Sequence, residues 1–411
     1  MTLYSLNPKN LDELFENKNF LVLNSHLSET KQNELLVRVQ DFFKENKEFD
    51  SPVILVPTSG TQSFYLKLVL LKIQALLNSA KCVGSFFNFS RNENWLLTLP
   101  LFHVGGLGIV ARAYEFQQNV FHLDKWSLSL FYETLYKNNI HLTSLVPTQI
   151  FDIVNQKLKA PKHLRLVFVG GGSLSESLFV AAKSLDWPIV KTFGMTETAS
   201  MVATSDQTDD SYSGLPGCQF KISKENNLMI QCDSLFSGYL SEQGSDKKFI
   251  FTPPKIVNNF WISEDLAESK EGLFFLKGRE KDLIKIKGEL VNLFSLRSLL
   301  LQEMEAQQVR VEMTIISIPD LRNENKLVLI ISQESLNPFL ESSSALNNFV
   351  SEKIIPRIQE FNKKLLPFEQ IKLYFIIDFI PRTDLGKIKY SELCSLKNME
   401  VINENRKPIL E

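Results

Sequence analysis

Between residues 52 and 200, short apolar runs alternate with amphipathic segments, and no other feature of the chain constrains the fold as much. The apolar runs have the length and composition of buried strands: PVILVP, WLLTLP, HLTSLVP, LRLVFVGGG and WPIVKTFG. The segments between them include TQIFDIVNQKL, a helix with a cap predicted near Thr148, and SLSESLFVAAKSL, a helix with serine caps. Strands that alternate with helices predict a mostly parallel sheet covered on both faces. Ligands of such sheets lie beyond the carboxyl ends of the strands.

The rest of the chain predicts further elements of both kinds. ETKQNELLVRVQDFFKENK and the segment from Gln62 to Ala80 have the apolar spacing of helices. From about residue 214, CQFKIS, NLMIQC, KKFIFT and GLFFLKG are short strands separated by turns, which indicates a β-rich lobe. After Gly288, the runs VRVEMTIISI, KLVLIIS and IKLYFIIDFI alternate with the helical SALNNFVSEKIIPRIQEFNKKLL. This last part predicts a separate small α+β domain, and 411 residues exceed one ordinary core.

Composition argues against several classes of protein. The 45 basic and 47 acidic residues give a formal net charge of −2, without the basic surface that nucleic-acid binding needs. No apolar run approaches the ~20 residues of a membrane-spanning helix, and the N-terminus does not resemble a signal peptide. Cys82, Cys218, Cys232 and Cys394 are far apart in sequence and form no C-x-x-C pair. We therefore expect reduced, buried thiols in a cytoplasmic protein, without membrane insertion.

The segment VPTSGTQSFYLK begins like a phosphate-binding loop. Thr58, Ser59, Gly60 and Thr61 follow a predicted strand, and their hydroxyls and backbone amides can donate hydrogen bonds to phosphate oxygens. The next positive charge is Lys67. These residues alone leave three interpretations open: a working nucleotide loop, a degenerate one, or an ordinary turn between a strand and a helix.

Two further loops follow predicted strands. LRLVFVGGG ends in three glycines, which either let another molecule approach the backbone or form a tight turn: Gly170, Gly171 and Gly172. In KTFGMTETAS, Thr196 can hold a phosphate oxygen and Glu197 can hold Mg²⁺, while Phe193 offers a flat face to a base. The alternative for this segment is a helix N-terminus capped by Thr196.

Charged residues mark the loops of the C-terminal half. KGREKDLIKIKGELV holds Arg279 and Lys281, and IPRTDLGKIKY holds Lys387 beside a glycine, where a lysine can move its charge into a site. Asp265, in WISEDLAE, can accept two hydrogen bonds from a vicinal diol such as ribose. Each of these residues also fits a solvated surface turn.

The order of the segments is more specific than any one of them. TSGT, PLFHVGG, GGGS, FGMTETAS, ED, GREKDLIKIKGE and PRTDLGKIK resemble, in this order, the motif series of the adenylate-forming (acyl-CoA synthetase, AMP-binding) superfamily. The resemblance runs from about Val53 to Lys389. It implies the adenylate-forming enzyme fold: a large domain of residues 1–280 and a small mobile domain of residues 282–411, joined by a hinge near Lys281.

The resemblance also implies a role for each matching residue of the large domain. The loop from Thr58 to Thr61 would hold the β- and γ-phosphates of ATP. The glycines at 170–172 would border the adenine, and Phe193, followed by Gly194, would stack on it. Thr196 would contact the phosphates and Glu197 would bind Mg²⁺.

The charged residues after position 260 receive roles in the same way. Asp265 and Arg279 would hold the ribose hydroxyls. Lys387 matches the lysine that bridges the substrate carboxylate and the α-phosphate of ATP. The resemblance implies that the small domain rotates between adenylation and thioester formation, which removes this lysine and opens a path for a thiol.

Two segments point to one branch of the superfamily. WLLTLPLFHVGGLGIV and TSLVPTQIFDIV are most similar to the o-succinylbenzoate–CoA ligases of menaquinone biosynthesis. This implies ATP-dependent, AMP-forming ligation of 2-succinylbenzoate to coenzyme A through an acyl-adenylate. His103, Ser144 and Thr148 would line the acid pocket, although a core histidine fits His103 equally well. The alternatives are another aryl or acyl acid, an acceptor other than coenzyme A, or a nucleotide-binding homologue without turnover.

Two positions depart from the family pattern. The phosphate loop usually continues with a glycine, a proline and a lysine, where this chain has Ser63, Tyr65 and Leu66, with Lys67 displaced by one. The small residue before the ribose-binding aspartate is replaced by Glu264. We expect Lys67 to stand in for the family lysine on a stiffer loop, with weakened ATP binding.

Overall fold

The computed structural model describes residues 3–6, 13–16, 18–24, 27–46, 52–58, 66–207, 209–244, 246–307, 309, 311–320, 322–339, 348–394 and 407–409. The chain divides into two compact units. The first unit comprises Met1–Ser263, Glu268–Phe275 and Asp384–Gly386, and the second comprises Glu264–Ala267, Leu276–Thr383 and Lys387–Glu411. The domain boundary predicted at residue 280 and the hinge near Lys281 stay predictions.

Strands account for much of the described chain. In chain order they are β1 (Leu3–Leu6), β2 (Asn19–Val22), β3 (Val53–Pro57), β4 (Lys67–Lys72), β5 (Asn94–Leu97), β6 (Asn119–His122), β7 (Leu142–Leu145), β8 (Leu166–Val169), β9 (Ile189–Met195), β10 (Ser200–Ser205), β11 (Ser211–Gly214), β12 (Gln219–Ile222), β13 (Asn227–Gln231), β14 (Gly238–Gln243), β15 (Lys248–Thr252), β16 (Ile256–Val257), β17 (Phe260–Lys270), β18 (Leu273–Arg279), β19 (Leu283–Ile286), β20 (Glu289–Asn292), β21 (Met313–Asp320), β22 (Glu324–Ser332), β23 (Leu373–Ile377) and β24 (Lys407–Pro408).

Helices alternate with the strands in both units. They are α1 (Glu29–Glu45), α2 (Ile73–Phe86), α3 (Val104–Glu115), α4 (Leu128–Lys137), α5 (Pro147–Asn155), α6 (Glu176–Ser184), α7 (Leu293–Ala306), α8 (Ile355–Lys363) and α9 (Tyr390–Leu393). Short 3-10 turns occur at Thr196–Thr198, Glu280–Asp282 and Glu334–Phe339, and a π-helical turn at Val350–Ile354 precedes α8. None of the helices that the structure describes is both long and apolar enough to span a bilayer.

The first sheet contains the hairpin that carries the predicted phosphate loop. Its strand order is β1-β2-β3-β4-β14-β15, and β3 pairs with β4 in antiparallel register, with Pro57 opposite Leu68. Leu55 of β3, Leu70 of β4 and Leu240 of β14 are fully buried in a core to which α1 contributes Val39. This core holds the two ends of the loop in a fixed position.

The prediction of a helix from Gln62 to Ala80 is wrong for its middle part. Lys67–Lys72 forms β4, and α2 begins only at Ile73. Leu68 to Leu71 are all buried, so this run has no polar face, and its spacing cannot distinguish a buried strand from a helix. Residues 62–65 lie outside the described residues.

The second sheet confirms the predicted parallel arrangement for four of the five predicted strands, β5, β7, β8 and β9. The fifth, PVILVP, is β3 of the first sheet, where it pairs antiparallel with β4. The order of the second sheet is β12-β13-β17-β18-β11-β10-β9-β8-β7-β5-β6, and β6, β5, β7, β8 and β9 are paired in parallel. Helices α3 to α6 connect these strands in sequence. Phe131, Leu145, Val167 and Trp187 are buried together in the core that the strands share with the helices. The β-rich lobe predicted after residue 214 is confirmed by β12 to β18.

Helices α6 and α5 begin at residues whose side chains suit a helix N-terminus. Ser175 caps α6 with its hydroxyl, which accepts a hydrogen bond from the backbone amide of Leu178, as the serine-rich sequence predicts. Helix α5 starts at Pro147, one residue before the predicted cap at Thr148, and its N-cap is Val146. Gln149 Oε1 accepts a hydrogen bond from the Val146 amide over 2.9 Å, and proline at the first position has a backbone angle that suits a helix.

The second unit is a small α+β structure, as predicted. Its sheet has the order β21-β22-β23-β24, and β19 and β20 form a separate hairpin. Leu300 of α7, Leu329 of β22 and Ile358 of α8 are at most 2% exposed and belong to one core. The mixed α/β fold expected for the whole chain is therefore present.

Candidate active site

The carboxyl ends of the parallel strands bring several predicted site residues to one edge of the second sheet. Ser144 of β7 is opposite Phe168 of β8, and Val169 of β8 is opposite Lys191 of β9. The glycines at 170–172 follow β8 directly, and the Thr196–Thr198 turn follows β9. The structure therefore groups these loops where parallel sheets bind their ligands.

The residues predicted to line the acid pocket lie on neighbouring elements of this edge. His103 is the N-cap residue of α3, and its ring is 4.6 Å from that of Phe102. Ser144 is buried, and its hydroxyl makes no hydrogen bond among the described residues. Thr148 is half-buried in the first turn of α5. A buried hydroxyl without a partner carries an energetic cost that a polar group of a ligand can offset, which favours Ser144 as a contact.

The glycines after β8 are required by space and by backbone angle. A Cβ atom on Gly170 would approach the Thr192 hydroxyl oxygen to 2.4 Å. Gly171 has a φ of +81°, in the left-handed region that favours glycine. The turn itself therefore requires glycine at positions 170 and 171. Without side chains, its backbone can also be approached closely by a ligand.

Phe193 lies in an aromatic cluster. Its side chain is 9% exposed, and its ring centroid is 5.4 Å from that of Phe274 and 5.9 Å from that of Tyr212. Gly194 follows it, and a Cβ atom there would collide with the Ser200 carbonyl oxygen at 2.1 Å. Stacking of adenine on Phe193 stays a prediction, and the structure assigns the ring a packing role in addition.

The Thr196–Thr198 turn is closed by Thr198. The Thr198 hydroxyl accepts a hydrogen bond from the Met195 amide over 3.1 Å and donates one to the Ser200 carbonyl over 2.7 Å. The segment is a three-residue 3-10 turn that leads into β10, so Thr196 does not cap a helix. Thr196 and Glu197 are half-buried.

Glu197 is held by a residue that sequence reasoning missed. Tyr239, on β14, donates a hydrogen bond from its hydroxyl to Glu197 Oε1 over 3.0 Å. The backbone carbonyl of Glu197 accepts a hydrogen bond from the Phe236 amide over 2.8 Å. Lys67 Nζ lies 3.6 Å from the centre of the Tyr239 ring, a cation–π distance. Lys67, Tyr239 and Glu197 thus form one chain of contacts.

The predicted phosphate loop is described only at its ends. The Thr58 amide donates a hydrogen bond to the Lys67 carbonyl over 3.0 Å, and the Thr58 hydroxyl donates to the same oxygen over 3.3 Å. Ser59, Gly60 and Thr61 lie outside the described residues. Thr58 and Lys67 are therefore paired where β3 ends and β4 begins, and the role of Lys67 toward phosphate stays a prediction.

The second unit contains the predicted ribose contacts. Arg279 Nε donates to Asp265 Oδ1 over 2.8 Å, and the Asp265 side chain is only 11% exposed. Lys281 lies in the Glu280–Asp282 turn, where burial and then the neighbouring Arg279 charge lower its pKa. The ion pair fixes the position of the Asp265 carboxylate, whose oxygens can accept hydrogen bonds from a diol.

Lys387 closes a tight turn with Thr383. Its amide donates to the Thr383 hydroxyl over 3.1 Å, and its carbonyl accepts from the Thr383 amide over 2.7 Å. Gly386 has a φ of +72°, which this turn requires. The turn gives the lysine a defined backbone position, although its catalytic role stays a prediction.

Arg112 is a further candidate that sequence reasoning missed. It is 3% exposed on α3, and its Nη2 donates to the Ser200 hydroxyl over 2.7 Å. Its Nε is buried and has no hydrogen-bond partner among the described residues. No described aspartate or glutamate forms an ion pair with it. Burial lowers its pKa to about 10. The available signal was an arginine within the apolar segment VGGLGIVARAY.

Comparison with known proteins identifies the family. A family model described as "AMP-binding enzyme" matches residues 7–240, more than half of the chain. This chain belongs to the AMP-binding enzyme family. The superfamily expected from the ordered motifs is thereby confirmed.

Curated relatives of this AMP-binding enzyme are ligases. A 2-succinylbenzoate–CoA ligase of Lactococcus lactis subsp. lactis (strain IL1403) is 25% identical over 352 residues, which cover 83% of this chain and 70% of that protein. A 2-succinylbenzoate–CoA ligase of Staphylococcus aureus (strain MSSA476) is 30% identical over 213 residues, 49% of this chain and 42% of that protein.

Solved structures show that the AMP-binding enzyme shares a known fold. The o-succinylbenzoate CoA synthetase of Bacillus subtilis, in complex with its acyl-adenylate intermediate, superposes with a TM-score of 0.72 at 18% identity, over 96% of this chain and 87% of that one. The ATP-bound MatB of Rhodopseudomonas palustris gives 0.73 at 16% identity, over 92% of this chain and 84% of that one. At these identities, the similarity establishes the adenylate-forming fold.

Glu197 is the residue of this AMP-binding enzyme whose chemistry fits a magnesium ion. It supplies a half-buried carboxylate, one oxygen of which is oriented by Tyr239. Among the described residues, no three histidine, cysteine, aspartate or glutamate side chains are grouped to hold a metal ion. A magnesium ion here would take most of its ligands from water and nucleotide phosphates, as Mg²⁺ ordinarily does.

Proposed function

We propose that this chain is an ATP-dependent, AMP-forming acid–CoA ligase. It converts 2-succinylbenzoate to 2-succinylbenzoyl-CoA through an acyl-adenylate, in the cytoplasmic pathway to menaquinone. The observation that carries the choice of a dicarboxylate is Arg112, a buried cation without a carboxylate partner among the described residues. The match to the lactococcal ligase, over 83% of this chain, supports the same substrate.

The residues of the first unit provide for the nucleotide. The loop that starts at Thr58 and the Thr196 hydroxyl donate hydrogen bonds to phosphate oxygens, and the Gly170–Gly172 turn borders the adenine. Glu197 holds Mg²⁺, which offsets the negative charge of the pyrophosphate leaving group when it is bound. Tyr239 orients the carboxylate for this role.

The residues of the second unit hold the sugar and the reacting groups. Asp265, oriented by Arg279, accepts hydrogen bonds from the ribose hydroxyls. Lys387 lies between the substrate carboxylate and the α-phosphate, where one positive charge reduces the repulsion between two anions and aligns the attack. The resulting acyl-adenylate has a good leaving group, and the thiol of coenzyme A displaces AMP.

Arg112 and Ser144 provide for the rest of the acid. Removing a guanidinium from water is costly unless a charged partner compensates, and a second carboxylate of the substrate supplies that partner. The planar guanidinium can bind a carboxylate through two hydrogen bonds. The Ser144 hydroxyl can bond a carbonyl or carboxylate oxygen of the same ligand.

Pyrophosphate release with a panel of acids, each with and without coenzyme A, tests the proposal. The control acid is 4-oxo-4-phenylbutanoate, which lacks the second carboxylate of 2-succinylbenzoate. We expect 2-succinylbenzoate to have a kcat/KM about 30-fold higher or more. The reason is that removing one partner of a buried charge pair costs at least ~2 kcal/mol. Arg112→Met should reduce activity with 2-succinylbenzoate and leave the analogue largely unaffected.

Three outcomes separate this proposal from its alternatives. If no acid of the panel supports pyrophosphate release while calorimetry detects ATP binding, the chain is a nucleotide-binding protein without turnover. Release that depends on another acid keeps the ligase and rejects the substrate. Adenylate formation without transfer to coenzyme A indicates a different acceptor.

The role of Lys387 is tested by separating the two half-reactions. Lys387→Ala should slow adenylation at least ~100-fold, because the charge between the two anions is lost, and should leave thioester formation from supplied acyl-adenylate nearly unchanged. Lys389→Ala, which removes a nearby lysine paired with Glu392 over 3.6 Å, is the matched control. Equal loss of both half-reactions in Lys387→Ala contradicts the assignment.

A further inference from the structure

Three cysteines that are distant in sequence meet in the first unit. The expectation of buried thiols is wrong, because Cys82, Cys218 and Cys232 are half-buried and Cys394 is exposed. All four are free. Cys218 interacts with Cys82 on one side and with Cys232 on the other, and both interactions raise its pKa.

The sheet register places two of these thiols opposite each other. In the antiparallel pair β12–β13, Gln219 is opposite Gln231 and Phe220 is opposite Ile230. The same register, one step beyond the ends of the strands, puts Cys218 opposite Cys232. Directly opposed residues of antiparallel strands have Cα atoms roughly 4.5–5.5 Å apart, within the range that a disulfide spans.

The third thiol and its surroundings complete the cluster. Cys82, on α2, donates a hydrogen bond from Sγ to the Pro216 carbonyl over 3.0 Å. Cys232 Sγ is 3.3 Å from the Ser234 hydroxyl oxygen. In the part of the chain that the structure describes, no three histidine, cysteine, aspartate or glutamate side chains are grouped to hold a metal ion. The three thiols are therefore arranged in a row, with Cys218 in the middle, and do not surround a common metal position.

The hydrogen bonds give the thiols different chemical characters. The bond from Cys218, assisted by the Ser234 hydroxyl, lowers the pKa of Cys232 to about 7. The same bonds raise the pKa of Cys218, so Cys218 stays protonated and acts as the donor. Cys232 is therefore substantially a thiolate at neutral pH, and the thiolate is the form that reacts with oxidants.

We propose that Cys232 and Cys218 form a peroxide-reactive site in which Cys232 is the attacking thiolate and Cys218 is the resolving thiol. The Cys232 thiolate attacks one oxygen of hydrogen peroxide, the O–O bond breaks, and the departing hydroxide takes a proton to become water. The Cys218 sulfur then attacks the Cys232 sulfenic acid, the S–O bond breaks, and the oxygen leaves as water with the Cys218 proton. The two thiols supply two electrons and end as a disulfide, which a dithiol reductant reverses.

Peptide mapping of the full-length protein tests this site. The protein is treated with about equimolar hydrogen peroxide, alkylated and digested after lysine and arginine; Lys221 and Lys224 separate the two cysteines into different peptides. We expect a linked pair of peptides that contains Cys218 and Cys232, lacks two hydrogens and is separated by dithiothreitol. Exposed Cys394, which has no thiol neighbour in the described chain, is the internal control.

Substitutions distinguish the two roles. Cys218→Ser should leave a sulfenic acid on Cys232 that dimedone traps, Cys232→Ser should abolish the linked peptides, and Cys82→Ser should leave them unchanged. A linked pair of Cys82 and Cys218, or oxidation of Cys394 as fast as that of Cys232, overturns the proposal.

In the unsubstituted protein, iodoacetamide labelling of Cys232 should rise with a midpoint near pH 7. A midpoint near that of an ordinary thiol, about 8.5, also overturns it.

Discussion

At the scale of residues, one hydroxyl connects the proposed magnesium ligand to a distant strand. Tyr239 Oη donates to Glu197 Oε1 over 3.0 Å, and the Lys67 ammonium lies 3.6 Å from the centre of the same ring. Tyr239 therefore orients the carboxylate, while Lys67 adds positive potential close to the place proposed for the phosphates. In the proposed function, the lysine and the carboxylate act on one ligand and are linked by the aromatic side chain between them.

Tyr239→Phe tests this connection. A hydrogen bond to a charged group contributes roughly 1.5–3 kcal/mol, so its removal should raise the Mg²⁺ concentration for half-maximal pyrophosphate release about tenfold. The phenylalanine ring retains the contact with Lys67, and the KM for the acid should stay unchanged. Tyr114→Phe, at an exposed tyrosine of α3, is the control. An unaltered Mg²⁺ dependence in Tyr239→Phe would show that the hydroxyl does not orient Glu197.

The site residues found from the sequence lie in short local motifs, whereas those that were missed depend on contacts between distant parts of the chain. Glu197 and Gly170 follow strands within short motifs, so local order was enough to select them. Tyr239 reaches Glu197 only because β14 pairs with β4, and no spacing in the sequence encodes that pairing. Arg112 was missed because its significance depends on burial without a carboxylate partner in the described residues, which only the folded chain shows.

At the scale of elements, sequence periodicity predicted the strands between helices and failed at β4. The parallel strands β5, β7, β8 and β9 are separated by helices with clear apolar and polar faces. Residues 68–71 of β4 are buried on both faces, so the run has neither the period of a helix nor that of a half-buried strand. The consequence for function is that Lys67 begins a strand, with its backbone fixed opposite Ser241, and not a mobile helix.

The cysteine cluster is a second feature that the sequence pattern did not predict. Cys218 and Cys232 flank the ends of β12 and β13, and the turn between these strands sets their register. The sequence shows no C-x-x-C pair and gives no sign that these two cysteines meet. A one-residue shift in this register would point the two side chains to opposite faces, so strand pairing decides whether they can react.

At the scale of the whole molecule, each unit has a hydrophobic core of its own. Leu145 belongs to a core of the first unit, and Leu329 belongs to a core of the second. Both side chains are at most 1% exposed. Separate cores allow each unit to lose its structure cooperatively without the other.

We expect calorimetry to resolve two thermal transitions. Leu329→Ala should lower the midpoint of one transition by about 5 °C or more, and Leu145→Ala the midpoint of the other, because truncation of a buried leucine costs roughly 2–5 kcal/mol. Each variant is the control for the other. A single transition that both substitutions shift equally would show that the units unfold together.

The chain's four tryptophans have an uneven distribution with a practical consequence. Trp95, Trp126, Trp187 and Trp261 all belong to the first unit, and three of them are at most 5% exposed. Intrinsic tryptophan emission is therefore an optical reporter of the first unit alone, blue-shifted while that unit is folded. A second fluorophore attached at exposed Cys394, with Cys82, Cys218 and Cys232 replaced by serine, would make the second unit visible in a different colour.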